Sequence, residues 1–152
     1  MPQKWLIKSE PSKYSIEDLK RDKKTLWHGV RNYQARNLLR DQWKVGDILL
    51  FYHSNAEPTG IFGIGKVSKI GVADPTQFDS KSDYFDPKAS KETPRWFAPE
   101  VSYIEKFSQP ITLDDLKNEK SLKDMAVLKK GNRLSVQPVS EDEFKIISKM
   151  AR

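Results

Sequence analysis

Cysteine is absent from all 152 residues. That removes disulfide frameworks, thiolate nucleophiles and cysteine-based zinc sites. Histidine occurs only twice, as His28 and His53, with no His-x-x-x-His pair, so no metal site is expected. No apolar run approaches the roughly 18 residues of a membrane span. The leading Met-Pro-Gln-Lys-Trp-Leu-Ile-Lys lacks the apolar core of a signal peptide. No Walker-type phosphate loop occurs, and Gly60-Ile-Phe-Gly-Ile-Gly65 sits inside a strand-like stretch rather than opening onto a helix, so it is no dinucleotide fingerprint. The expectation is a protein with no cofactor, no metal and no membrane contact, cytosolic or, in a eukaryotic source, nuclear.

What the chain does hold is aromatic and basic. Sixteen aromatic residues argue against disorder, and the length suits a single domain spanning 1–152 with its own core. The net charge is +6. Residues 1–76 carry 13 Lys and Arg against 8 Asp and Glu, whereas 77–152 carry 14 against 13. A second local excess, six basic residues against two acidic ones, lies in Lys117–Arg133. Such a balance favours polyanions through attraction and counterion release, although a well-solvated surface has the same composition.

The stretch Trp27–Asn37, W-H-G-V-R-N-Y-Q-A-R-N, interleaves Trp27 and Tyr33 with Arg31, Arg36, Asn32, Gln34 and Asn37. Those are the materials of a nucleobase site: aromatic faces for stacking, amides for a base edge and guanidinium groups for phosphate. Of the four tryptophans, Trp5 and Trp43 read as core. Trp27 and Trp96 are the better candidates for an aromatic cage. Ser9-Glu10-Pro11 follows the first strand and either holds a polar ligand or simply forms a turn with a salt bridge. Arg133, Ser135 and Gln137 alternate, so on a strand they share one face, facing solvent or lining a pocket mouth. His53, at a strand end, reads as a hydrogen-bonded structural residue rather than a general base.

Local signals place the elements. Lys4–Lys8 reads as a strand with Trp5 and Ile7 on one face. Capping-box patterns start helices at Ser15, reaching about Arg21, and at Thr112 and Ser140, covering about 113–118 and 141–150. Asn32 caps a helix over Tyr33–Asp41. Ile48–His53 is a buried strand, and Gly60–Ile70 a second whose glycines imply a bend or a close backbone approach. Residues 71–94, with Pro75, Pro87 and Pro94, form a long loop that Phe78, Tyr84 and Phe85 fold back onto the body. Trp96–Phe107 resumes strand character, and Ser135–Val139 closes the sheet, Pro138 being tolerable at an edge. No sustained βαβ rhythm appears. The class is α+β, a small mixed barrel or curled sheet with peripheral helices.

Several motifs in register resemble the EVE domain family: W-L-I-K-S-E-P (Trp5–Pro11), the Trp27–Asn37 block, F-Y-H-S-N (Phe51–Asn55), D-P-T-Q-F-D (Asp74–Asp79), P-R-W (Pro94–Trp96) and R-L-S-V-Q-P-V (Arg133–Val139). The resemblance runs from about residue 3 to 147. It implies a PUA-like small mixed β-barrel with peripheral helices, and a non-catalytic reader of a modified base, such as a modified cytosine, flipped or single-stranded in DNA or RNA. On the matching motifs it puts Trp27, Asn32, Tyr33, Tyr52, Ser54 and Asn55 at the base, with Arg31, Arg36 and Asn37 at the rim or towards phosphate. The residues themselves add Trp96 to the cage and Ser9, Glu10, Arg133 and Ser135 to the rim. Phe85 and Phe144 stand where tyrosine and tryptophan are frequent in the family. A monomer is expected. The alternatives are a hydrolase of a modified nucleoside built on Lys8, Ser9 and Glu10, and a basic protein-interaction module. Strand alternation counts against Lys8 and Ser9 acting together.

Overall fold

A computed structural model describes residues 2–131 and 134–151 of the chain. Six strands form one curled sheet: β1 (Lys4–Ser9), β2 (Lys24–Leu26), β3 (Ile48–His53), β4 (Gly60–Lys69), β5 (Glu100–Thr112) and β6 (Val136–Val139), in the order β2-β5-β4-β3-β1-β6. β1 and β3 run parallel, and every other pairing is antiparallel. The architecture is a mixed α+β half-barrel with helices around it, the PUA-like arrangement.

The curl has a local cause. Register shifts interrupt the β4–β5 pairing at three points, and irregularities of this kind bend a strand and raise its twist. At Gly63 a Cβ would collide with the Glu105 carbonyl and with Ile16. The glycine lets β5 on one side and the first helix on the other come close to the backbone. β6 is an edge strand, and Pro138, which has no N–H to donate, is accommodated there opposite Trp5.

Alternation divides the core in two. Trp5, Ile7, Leu49 and Phe51 enter one cluster, and Leu6, Leu50 and Tyr52 the other. A strand buried on both faces reads as the nearly continuous apolar run seen in β3. The first face is covered by α1 (Ile16–Asp22), α2 (Tyr33–Asn37) and the turn that follows it, through Ile16, Leu19, Ala35 and Leu39. The second is covered by α3 (Leu113–Asn118) and α4 (Glu141–Met150) through Leu116 and Ile147, with Leu122 from a short 3-10 turn and Met125 just before the next. The three expected capping boxes are formed at Ser15–Asp18, Thr112–Asp115 and Ser140–Glu143.

Four expectations need correcting. The helix after Asn32 stays regular only to Asn37. Leu38–Gln42 widens into a π-turn in which the Trp43 N–H bonds the Leu38 carbonyl at 3.0 Å, and Trp43 then packs on Trp5. The strand expected from Trp96 begins at Glu100 instead, because the backbone of 96–99 is engaged elsewhere: the Trp96 carbonyl accepts from Asp74, and the Pro99 carbonyl from Trp27. β2 was not anticipated. Its three residues, Lys-Thr-Leu, have no apolar alternation and extend by pairing with β5. In the long loop Tyr84 turns inward, whereas Phe85 is 40% exposed.

The loop is stapled by buried polar groups. Gln77 is fully buried and fully bonded: its Nε2 donates to the Asp74 and Trp96 carbonyls, and its Oε1 accepts from the Arg95 and Trp96 N–H groups. Asp74, equally buried, accepts from the Gly29 N–H at 2.7 Å, Arg31 Nη1 at 3.0 Å and the Thr76 N–H at 2.8 Å. Burial pushes its carboxyl up, but these bonds outweigh it, and the pKa lies below the usual value. No described helix is long and apolar enough to cross a membrane.

Candidate nucleic-acid interface

β1 and β3 are parallel neighbours, so Ser9 and Ser54 arrive side by side where the strands end, the Ser54 N–H bonding the Ser9 carbonyl at 2.9 Å. Beside them, on the first face, opens a cavity of about 430 Å³, within the range of small-molecule sites. Its far wall is the segment Thr25–Asn32, and Tyr84 reaches it from the long loop.

Trp27 supplies the aromatic wall. It is 8% exposed and is held edge-on by Phe51 at 5.5 Å and Tyr14 at 6.3 Å. Its backbone N–H is anchored on the Pro99 carbonyl. The next turn of chain is forced. Gly29 has a φ of +88° and would drive a Cβ into the Tyr84 ring, so only glycine lets Tyr84 close over this segment.

Polar groups on the wall differ in how far they are already committed. Asn32 Oδ1 caps α2 by accepting from the Ala35 N–H at 3.0 Å, which leaves its Nδ2 to donate elsewhere. The Ser9 hydroxyl donates to the Tyr14 carbonyl at 2.6 Å. Glu10 Oε1 accepts from Asn55 Nδ2 at 2.8 Å. The Tyr14 hydroxyl donates to Asp22, and burial together with that bond pushes its pKa up to about 12. Burial lowers the Lys8 ammonium below its ordinary value. Lys13 and His28 also line the cavity.

The expected site residues divide accordingly. Trp27, Asn32, Ser54, Ser9, Glu10, Arg31 and Ser135 line the cavity. Tyr52 does not. It follows Phe51 by one residue, so it points through the sheet into the second cluster. Asn55 stands one residue past the wall at a φ of +50° and reaches it only by its bond to Glu10. Tyr33 and Trp96 are also outside. They stack on each other at 4.8 Å and 28°, with Tyr33 52% exposed and Trp96 5% exposed. Arg36 lies over Tyr33 and bonds the Arg95 carbonyl and Asn37 Oδ1. Asn37 is thus a partner of Arg36, away from the wall. Arg31 is bound to Asp74, Thr76 and the Tyr84 carbonyl and serves as a strut between wall and loop. Arg133 lies outside the described residues.

Lys8 and Ser9 both reach the cavity despite alternation, because Ser9 is the last residue of β1 and the chain turns there. His53 is buried with its Nε2 accepting from the Ile16 N–H at 3.1 Å and its ring stacked on Phe62 at 4.0 Å. Burial lowers its pKa. Gln137 is buried rather than solvent-facing, although Ser135 is on the wall. Residues not anticipated are Lys13, Tyr14, Thr25, Leu26, His28, Gly29, Val30 and Tyr84. His28 and Gly29 lay inside the aromatic–amide block; Tyr84, more than fifty residues away, had no local signal. Among the described residues no group of three or more His, Asp or Glu could hold a metal ion.

A sequence model of the EVE domain matches residues 3–150. Chicken thymocyte nuclear protein 1 is 40% identical over 162 residues, which cover 94% of this chain and 66% of that protein, so the chain spans about two thirds of its length. A solved protein from Pseudomonas syringae superimposes with a TM-score of 0.93 at 42% identity, over 98% of this chain and 99% of its own. Human thymocyte nuclear protein 1 (THYN1), solved in complex with DNA containing 5-methylcytosine, superimposes with a TM-score of 0.90 at 37% identity, over 99% and 98% of the two chains.

Proposed function

Because the chain belongs to the EVE domain family, we propose that it binds DNA carrying a modified cytosine and takes that base, extruded from its strand, into the cavity beside Trp27. The observation that carries this reading is the pairing of an indole wall with Asn32 Nδ2 and the Ser54 hydroxyl, both uncommitted among the described residues, in one cavity. The human relative solved with 5-methylcytosine-containing DNA shares the fold along nearly the whole chain, which supports the choice of ligand.

Asn32 Nδ2 donates to an acceptor on the cytosine edge, and the Ser54 hydroxyl takes the amino group or the carbonyl. Extruding a base costs a few kcal/mol, and aromatic stacking returns about 1–3 kcal/mol. Lys8, Lys13 and the basic surface supply the remainder through phosphate. A methyl group buried against Trp27 is worth about 1–3 kcal/mol, or roughly 10- to 200-fold over plain cytosine.

A hydrolase is less favoured. Lys8, Ser9 and Glu10 do share the wall, but the Ser9 hydroxyl proton is committed to the Tyr14 carbonyl, and one Glu10 oxygen to Asn55. Calorimetric titration with single-stranded and duplex oligonucleotides, plain and 5-methylated, in DNA and RNA form, tests the reading. Wild type is expected to prefer methylated DNA. Trp27→Leu, which keeps an apolar filler, is expected to lose that preference while staying folded. Equal affinity of wild type for methylated and plain strands removes the reading.

A further inference from the structure

Tyr33 and Trp96 were expected in the cage with Trp27, yet they form a separate stack on the surface. The geometry of that stack leaves one ring face bare. The Arg36 guanidinium is 4.7 Å from the Tyr33 ring centre and 5.8 Å from the Trp96 ring centre, and the two rings are 4.8 Å apart. Were Tyr33 sandwiched, the Arg36–Trp96 separation would approach the sum of the other two. It falls well short of that sum, so Arg36 and Trp96 lean against Tyr33 from the same side. The opposite face of the ring is open, in keeping with the 52% exposure of the residue.

The stack is rigid and cationic. Trp96 is fixed by its Nε1 bond to Asp86 at 2.8 Å and by Gln77, which grips its backbone. Arg95 Nη1 reaches the Tyr33 hydroxyl at 3.4 Å. Three guanidinium groups, Arg31, Arg36 and Arg95, surround the rings against two carboxylates, Asp74 and Asp86. The stack also adjoins the cavity. Arg31, which lines it, sits 5.4 Å from the Tyr84 ring and 5.2 Å from the Trp96 ring. A single guanidinium therefore separates the cavity wall from the outer stack.

We propose that the open face of Tyr33, with Arg36 and Arg95 beside it, is a second nucleotide subsite that stacks the base next to the one held in the cavity. An exposed aromatic face beside cations is what sequence-tolerant stacking of single-stranded nucleic acid requires. The chemistry fits a neighbouring nucleotide better than a protein partner because ring and guanidinium groups match base and phosphate respectively. The proposal rests on the cavity reading for which base is the neighbour, but not for the stacking itself.

The test uses four ligands: the free nucleoside 5-methyl-2′-deoxycytidine, a single-stranded DNA pentamer with central 5-methylcytosine, the same pentamer with abasic flanks, and the unmethylated pentamer. Tyr33→Ala is expected to weaken both intact pentamers by about 5- to 100-fold, the effect of losing one base–aromatic stack. It is expected to leave the nucleoside and the abasic-flank pentamer unchanged. Tyr33→Trp, which keeps a stacking face, is expected to restore pentamer affinity. Undiminished pentamer binding by Tyr33→Ala overturns the subsite, as does an equal loss on the abasic-flank pentamer. If wild type binds no pentamer, the subsite falls as well. If methylated and plain pentamers bind wild type alike and Tyr33→Ala weakens both, the subsite stands while the cavity reading fails.

Discussion

The two faces of the sheet are filled by different means. On the second face Leu6, Leu50, Ile61, Leu116 and Ile147 interlock as mainly apolar volume under α3 and α4, with buried Gln137 opposite Leu6 at the β6 edge. On the first face, and in the loop beyond it, buried polar groups recur. Asp47 takes the Trp5 indole N–H at 2.9 Å, His53 caps the start of α1, and Asp74 and Gln77 staple the loop. The cavity beside Trp27 opens on the first face. The contrast is between volume and geometry. Apolar packing tolerates exchange of similar shapes, whereas a satisfied polar network fixes one arrangement and is expensive to leave half made. The proposed base site lies on the face that is geometrically specified.

The contrast breaks most sharply at Asp74. Asp74→Ala leaves Arg31, the Gly29 N–H and Thr76 without their shared acceptor, and is expected to cost about 4 kcal/mol in urea denaturation. It should also release Tyr84 from the wall and weaken oligonucleotide binding beyond what the stability loss explains. Leu116→Ala, on the other face, is expected to cost about 3 kcal/mol as a cavity in the apolar cluster. Its binding at a temperature where it remains folded should equal wild type. Equal binding losses in the two variants would erase the distinction between the faces.

A smaller effect follows from His53. Its folded pKa is depressed by burial, so the fold prefers the neutral ring. Its contribution is complete above the unfolded value near 6.5 and is lost as pH falls through the lower folded pKa. Protonation would also remove the Nε2 acceptor for the Ile16 N–H. Stability should therefore decline over that acid window. In His53→Gln, whose carbonyl can accept the same N–H, the slope attributable to this residue should vanish.

Which features were legible in the chain follows the same division. The capping boxes at Ser15, Thr112 and Ser140 were readable because cap and partner lie three residues apart. β3 was readable from its apolar run. The staples were not, because Asp74 meets Gly29 and Arg31 across more than forty residues. The segment before β5 pairs only through the Ala73–Phe97 bridge, and its other backbone partners are the loop and Trp27. Tyr52 lies in the second cluster, away from the cavity. Alternation alone sets it opposite Phe51, so the one stretch Phe51–Asn55 contributes to both clusters. Tyr33 was separated from Trp27 by the turn that Asn32 makes when it caps α2, so one sequence block contributes to two adjoining surfaces.

The most direct test of the account is a crystal structure of this chain with a short DNA duplex bearing a single 5-methylcytosine. The expected result is that base out of the helical stack, its methyl group against Trp27 and its edge facing Asn32 and Ser54. A 5-methylcytosine still paired and stacked in the duplex, bound elsewhere on the protein with no base beside Trp27, would contradict it.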